Sequence, residues 1–339
     1  MSDNKQIRLT SSEISQLWTQ YMNDTASVCM LTYFLNKAED QEIKTVIESA
    51  LNISLTHIDV IKSIFKEEKF KVPHGFTVEE DVDLEAPRLY ADSYVLHYIH
   101  QMAKIGLTSY AVSLSYSVRS DITEFYQQCL DESQNLYEQS KDLLLNKGIF
   151  IRSPYIDDME SIEYVQKQGF LWDVFGEKRS LTALEITNLY ANIQRNALGT
   201  ATLIGFSQVA QTKEVTDYFV RGLEIAKKHI KLFSEKLKDD DLPTPMSWDS
   251  EVTHSTTYTF SERLMMFYTT ALISLSVGYY GMSVSTSPRV DIGIMYNRLA
   301  VEIQLYSEDG ANIMIKNGWL EQPPMASNRK NLADKNKEK

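Results

Sequence analysis

Residues 148–186, GIFIRSPYIDDMESIEYVQKQGFLWDVFGEKRSLTALEI, close one helical unit at Gly148 and open a second at Leu181. The second unit repeats the first. Lys147-Gly148-Ile149, with Pro154 six residues beyond the glycine, returns as Asn317-Gly318-Trp319 with Pro324. Leu9-Thr10-Ser11-Ser12-Glu13-Ile14 returns as Leu181-Thr182-Ala183-Leu184-Glu185-Ile186. At an offset of 172 residues the match runs through two helices of each unit, with Glu42/Glu214, Leu51/Leu223, His57/His229 and Pro73/Pro245. At 170 it runs through two more, with Tyr110/Tyr280, Arg119/Arg289, Asp121/Asp291 and Gly148/Gly318. The slip falls in the loop between them, where a deletion is tolerated.

Both units start with one device. Thr10 or Thr182 is placed to cap the first helix, and Glu13 or Glu185 reaches back to close a capping box. Leu9 against Ile14, and Leu181 against Ile186, have the spacing of a hydrophobic staple. Helix one then runs to about Lys37, with Ile14, Leu17, Tyr21, Val28, Leu31 and Leu35 at helical spacing. Asp40 and Thr212 are the next N-caps, so only a short turn separates helices one and two, and the pair is antiparallel. The next connection, FKVPHGFTVEEDVDLEAP at 70–87, is different. Extended, such a loop reaches roughly 55–60 Å, more than the roughly 45 Å of a helix of about 30 residues. It can run the length of the bundle and set helix three parallel to helix two. Helix three (88–117, and 260–286) meets helix four (120–147, and 289–317) at a tight corner.

Short turn, long crossover, short turn is ferritin-like connectivity, written twice. The expected fold is all-α: a first four-helix bundle at 8–152, a linker at 153–180, a second bundle at 181–326 and a disordered basic tail at 327–339. Within the linker, Ser161–Gln168 is read as a short helix ended by Gly169. Phe170, Leu171, Trp172, Val174 and Phe175 are read as aromatic packing that locks the halves together.

Composition bounds the function. A chain of 339 residues suits two domains, and 43% hydrophobic with 24% charged residues is that of a soluble globular protein. The net charge of −12 argues against nucleic acid as a partner. Cys29 and Cys129 lie within apolar helices and read as buried thiols of a reducing, cytoplasmic compartment. MSDNKQIRLT has no apolar run of a signal peptide. Leu264–Pro288 carries no charge but is rich in Ser and Thr, and reads as a buried bundle helix rather than a membrane span.

Chemistry is sparse. A ferritin-type di-metal centre needs Glu-x-x-His on two helices. Here the residues three before His57 and His229 are Ser54 and Ala226, and Glu251-x-x-His254 stands in a crossover. His57 and His229 read as semi-buried imidazoles bonded to a tyrosine, a serine or a crossover carbonyl, with a ligand or metal role as the alternative. His97 and His100 stand at i, i+3, a spacing able to reach one metal, but their counterparts are Phe267 and Thr270. Ala271, Ser274, Gly278, Gly281 and Ser285 form a seam of small side chains. It reads as a contact between units or subunits, or as the wall of a narrow cavity with Tyr268, Tyr279, Tyr280 and Met282. No GxGxxG, Walker A, HExxH, G-x-S-x-G or CxxC occurs, so no catalytic residue and no cofactor are assigned.

LTSSEISQLWTQYMND, KVPHGF, LYADSYVLHYIHQMAKIGL, NIQRNALG, MSWDSEVT and EDGANIMIKNGWLEQPP resemble the domain of unknown function 3231 family of Bacillus-type spore formers. The likeness spans residues 8–325. It implies tandem ferritin-like bundles and a link to the spore coat or mother cell, and it carries no catalytic residues. The functional expectation is a non-catalytic structural or interaction protein. A metal or redox protein with non-standard ligands and a binder of a small apolar ligand are the alternatives.

Overall fold

In the computed structural model, which describes residues 7–158, 161–171 and 179–330, helices begin where the caps dictate. The Thr10 hydroxyl accepts from the Glu13 N–H at 3.2 Å while the Glu13 carboxylate accepts from the Thr10 N–H at 2.8 Å. Thr182 and Glu185 close the same box. From these starts run α1 (Ser11–Lys37) and α6 (Ala183–Val209), each followed after a short turn by α2 (Gln41–Glu67) or α7 (Lys213–Lys238). Asp40 caps α2 through the Glu42 and Ile43 N–H groups. Thr212 holds the N-cap position of α7 without capping it, because its hydroxyl bonds Glu262 instead.

The crossovers hold only a short α3 (Val78–Asp81) in the first copy and a 3-10 turn (Asp249–Glu251) in the second. They lead to α4 (Asp92–Tyr116) with α5 (Ser120–Asn146), and to α8 (Glu262–Thr286) with α9 (Val290–Lys316). Polar contacts give the directions. Asp92 at the start of α4 accepts from the Asp40 N–H at the start of α2, and Lys147 at the end of α5 pairs with Asp40 at 2.7 Å. At the other end Glu13, Glu68 and Arg119 come together. Hence α4 runs parallel to α2, as the crossover length predicts, and Glu262, Thr212, Glu214 and Lys316 repeat the arrangement. Gly148 and Gly318 end α5 and α9 with φ of 70° and 69°, the left-handed closure that favours glycine.

The halves are joined by their crossovers. Val82 bridges Phe260, and Val252, its repeat counterpart, bridges Tyr90, the counterpart of Phe260. The pairing is therefore pseudo-twofold. Four backbone hydrogen bonds of 2.8–2.9 Å flank the bridges, from Asp83 to Thr259, Ser261 to Asp81, Ala91 to Glu251 and Thr253 to Leu89. These isolated bridges are the extended pairing among the described residues. Phe260 packs edge-on against Tyr33 of the first bundle at 4.9 Å, while Tyr90 reaches into α6 and donates to the Thr202 carbonyl at 2.9 Å. Room for Tyr90 comes from Gly205, where an added Cβ would lie 2.2 Å from the phenol oxygen. Gly205→Ala is expected to destabilise by about 1–3 kcal/mol through overpacking, measured by urea unfolding. No change would mean that Tyr90 is not held where it is described.

The linker differs from expectation. Residues 161–167 are exposed and form no helix, and Gly169 lies inside a 3-10 turn at Gln168–Phe170. A lone segment with no bundle face to bury gains too little from a helix. Phe170 lies under Arg179 at 4.2 Å and the Leu171 carbonyl accepts from the Val290 N–H, so both sit on the second bundle. Trp172, Val174 and Phe175 lie outside the described residues, as does the tail from 331. Other arms cross between the halves. Tyr190 donates to the Arg152 carbonyl at 2.5 Å, and Glu321 accepts from the His74 N–H at 2.9 Å.

Candidate functional site

At the middle of the first bundle each long helix contributes one side chain: Asp24 from α1, His57 from α2, Tyr110 from α4 and Glu132 from α5. His57 is 1% exposed. Its Nε2 lies 2.7 Å from Glu132 Oε2, and its Nδ1 lies 3.4 Å from Asp24 Oδ2, an ion pair without hydrogen-bond alignment. Ser54 donates to the other Asp24 oxygen at 3.0 Å, and Tyr110 meets the imidazole edge-on at 5.7 Å. Gln20 donates to Cys129 Sγ at 3.6 Å beside them.

The second bundle changes one of these four residues, Asn196 for Asp24, and has Ala226 and Leu299 where the first has Ser54 and Cys129. Asn196 donates to the Tyr280 hydroxyl at 2.9 Å, which leaves that hydroxyl's proton for His229 Nδ1, also at 2.9 Å. Nε2 then donates to Glu302 at 3.2 Å. One carboxylate fewer reverses the charge. Burial works against a protonated His57, but its contacts with Asp24, Cys129 and Glu132 outweigh it and hold the pKa up at about 12. At His229 burial prevails over Glu302 and lowers the pKa below the ordinary 6.5. The first bundle thus holds an imidazolium where the second holds a neutral ring.

This donor set does not fit a di-metal centre. The carboxylates at His57 face opposite ring nitrogens, which point apart, so one ion cannot meet all three groups. In the second copy one of the two is an amide. Among the described residues no group of three or more His, Cys, Asp or Glu is arranged to hold a metal.

The family described as "Protein of unknown function (DUF3231)" matches residues 1–162 and again residues 169–332. The chain belongs to the DUF3231 family. A solved structure of a candidate spore coat protein from Bacillus halodurans C-125 is 17% identical, with a TM-score of 0.41, and covers 46% of this chain and 99% of its own. No curated protein matches. Among the described residues of this DUF3231 protein, no helix is long and apolar enough to cross a membrane.

The other sites read from sequence lie elsewhere in the DUF3231 fold. His97 packs on Trp248 at 4.8 Å. His100 stacks on Tyr137 at 5.0 Å and pairs through Nδ1 with Ser140 at 3.0 Å. Burial lowers the pKa of His97 to about 4 and of His100 to about 3, so both are neutral. In the unfolded chain these rings take up protons as pH falls through 6.5, while the folded chain refuses them. Stability is expected to fall between pH 6.5 and 4, by about 1.4 kcal/mol per pH unit for each such proton. His100→Gln should flatten that slope in urea unfolding at stepped pH; an unchanged slope would refute it.

Ser274, Gly278, Gly281 and Ser285 face outward, and a Cβ at Gly278 or Gly281 would meet nothing within 4 Å. The seam is therefore not the contact between bundles. Tyr268, Tyr279 and Tyr280 do line a cavity, of about 110 Å³, between the bundles. Met282 is 51% exposed and points elsewhere. Sequence reasoning missed Asp24, Glu132 and Glu302. The repeat of Glu132 as Glu302 at the 170 offset is the signal that marks the two glutamates, while Asp24, replaced by Asn196, leaves none.

Proposed function

We propose that this DUF3231 protein is a non-catalytic structural or interaction module of a spore-forming bacterium, with the mother cell or the spore coat as its setting. One observation carries this reading. The central position of each bundle is filled by a histidine whose ring nitrogens already face Glu132 and Asp24, or Glu302 and Tyr280. In the second cluster both ring nitrogens are hydrogen-bonded, and in the first each nitrogen faces a carboxylate on its own side, so neither cluster gathers its ligands round one ion. The cysteines support the same reading, because burial pushes both thiols up, Cys29 to about 12, so neither supplies a ready thiolate.

The outward seam of α8 supplies a surface for contact with a second copy or another protein. On α9, which packs against α8, Val301 and Leu305 are 55% and 61% exposed. The test is elemental analysis and light scattering of protein purified without chelators. Iron and manganese well below one ion per chain are expected, together with an assembly that Gly278→Lys or Gly281→Lys dissolves. One or more tightly held ions per bundle would overturn the reading in favour of a metal protein.

A further inference from the structure

The cavity between the bundles is walled mainly by apolar side chains, among them Met102, Ile105, Leu198, Leu272 and Ile273. Gly199 helps to keep it open, since a Cβ there would meet nothing within 4 Å. At its edge lies Arg195. The guanidinium sits over the Tyr279 ring at 3.6 Å and gives one N–H to Asn192 Oδ1 at 3.1 Å, while its buried Nε has no partner. No carboxylate lies within ion-pair distance of it among the described residues. Other shielded arginines of the chain differ in this respect. Arg119 and Arg289 pair with Asp121 and Asp291, Arg179 with Glu185, and Arg263 with Asp81.

A second cation shares the arrangement. Lys104 lines a smaller adjoining cavity that has Gln101 and Leu198 in common with the first. It also makes no ion pair among the described residues. Burial, and after it the nearby Arg195, holds its ammonium pKa below the ordinary range. Two half-buried positive charges without a counter-ion are costly in any protein. In a chain of net charge −12 they need a reason.

We propose that the cavity between the bundles binds a small apolar carboxylate, its carboxyl group paired with Arg195 and Lys104 and its hydrocarbon held between α4, α6 and α8. A guanidinium with a free Nε–H suits a carboxylate, which takes paired N–H donors in one plane. An apolar cavity of roughly 150 Å³ accepts a benzene ring, so a tail of about six carbons matches the space.

The test is isothermal titration of the full chain with butanoate, hexanoate and octanoate, using hexanol and hexylamine as neutral and cationic controls. One acid per chain is expected to bind, with hexanol at least tenfold weaker and hexylamine weaker still. Arg195→Gln, which removes a buried unpaired charge and so keeps the fold, should weaken the acid at least tenfold and erase its advantage over hexanol. Lys104→Gln should weaken it by a smaller factor. Gly199→Leu, which fills the cavity, should block acid and alcohol alike while the melting curve stays cooperative. Failure of all three acids to bind would overturn the proposal. So would undiminished acid binding by either Arg195→Gln or folded Gly199→Leu.

Discussion

Glu13→Ala lowers the free energy of unfolding by about 4 kcal/mol. Glu13 looks like an ordinary helix-start glutamate, yet it is 1% exposed. One carboxylate oxygen accepts from the Thr10 N–H and hydroxyl, both at 2.8 Å. The other accepts from the Val118 and Arg119 N–H groups at the α4–α5 corner, both at 3.0 Å. Alanine would strand these donors in a buried place, and each hydrogen bond to a charged acceptor is worth about 1.5–3 kcal/mol. Burial pushes the Glu13 carboxyl up, and the N–H groups of Arg119, Thr10 and Val118 overcome it, leaving the group below its ordinary 4.5. The stabilisation is therefore present above pH 4.5 and lost as pH falls through the folded value. Urea unfolding at pH 7 checks the size. A loss under 1 kcal/mol, the range of a simple exposed cap, would remove Glu13 from this role.

His57→Leu is expected to destabilise by about 3–5 kcal/mol, because it leaves Asp24 and Glu132 without their shared cation. His229→Leu removes a neutral ring and should cost only about 1–2 kcal/mol. The two should also differ in the sign of their pH dependence. The folded pKa of His57 stands above 6.5, so its contribution is full below pH 6.5 and shrinks as pH climbs toward about 12. The folded pKa of His229 stands below 6.5, so its contribution is full at higher pH and is lost as pH falls. Unfolding free energies of both variants at pH 5, 7 and 9 resolve the difference. Equal losses with parallel pH profiles would mean that Asp24 does not charge His57. Asp24→Asn, which copies the second bundle, should bring the His57 profile toward that of His229.

The two sites were unequally legible in the sequence. His57 and His229 are visible as a repeated pair, and the helix rotation that buries them follows from the apolar residues around them. Their opposite charge is not visible, since it rests on Asp24 against Asn196 and on which ring nitrogen each neighbour reaches. Arg195 and Lys104 lie 91 residues apart on helices of different bundles, and only the packing of α4 on α6 brings them near one cavity.

What the sequence determined alone is local or metric. Capping boxes set the helix starts, left-handed glycines set the ends, and crossover length against helix length set the parallel pair. Those depend on neighbours a few residues away or on how far a chain can reach. What only the tertiary structure decided is how the two copies meet: crossovers paired about a pseudo-twofold, Tyr90 seated over Gly205, and a cavity edged by Arg195. Such contacts join residues from opposite halves of the chain. Their free energy depends on shape and burial at the meeting surface, which no periodicity along the chain records.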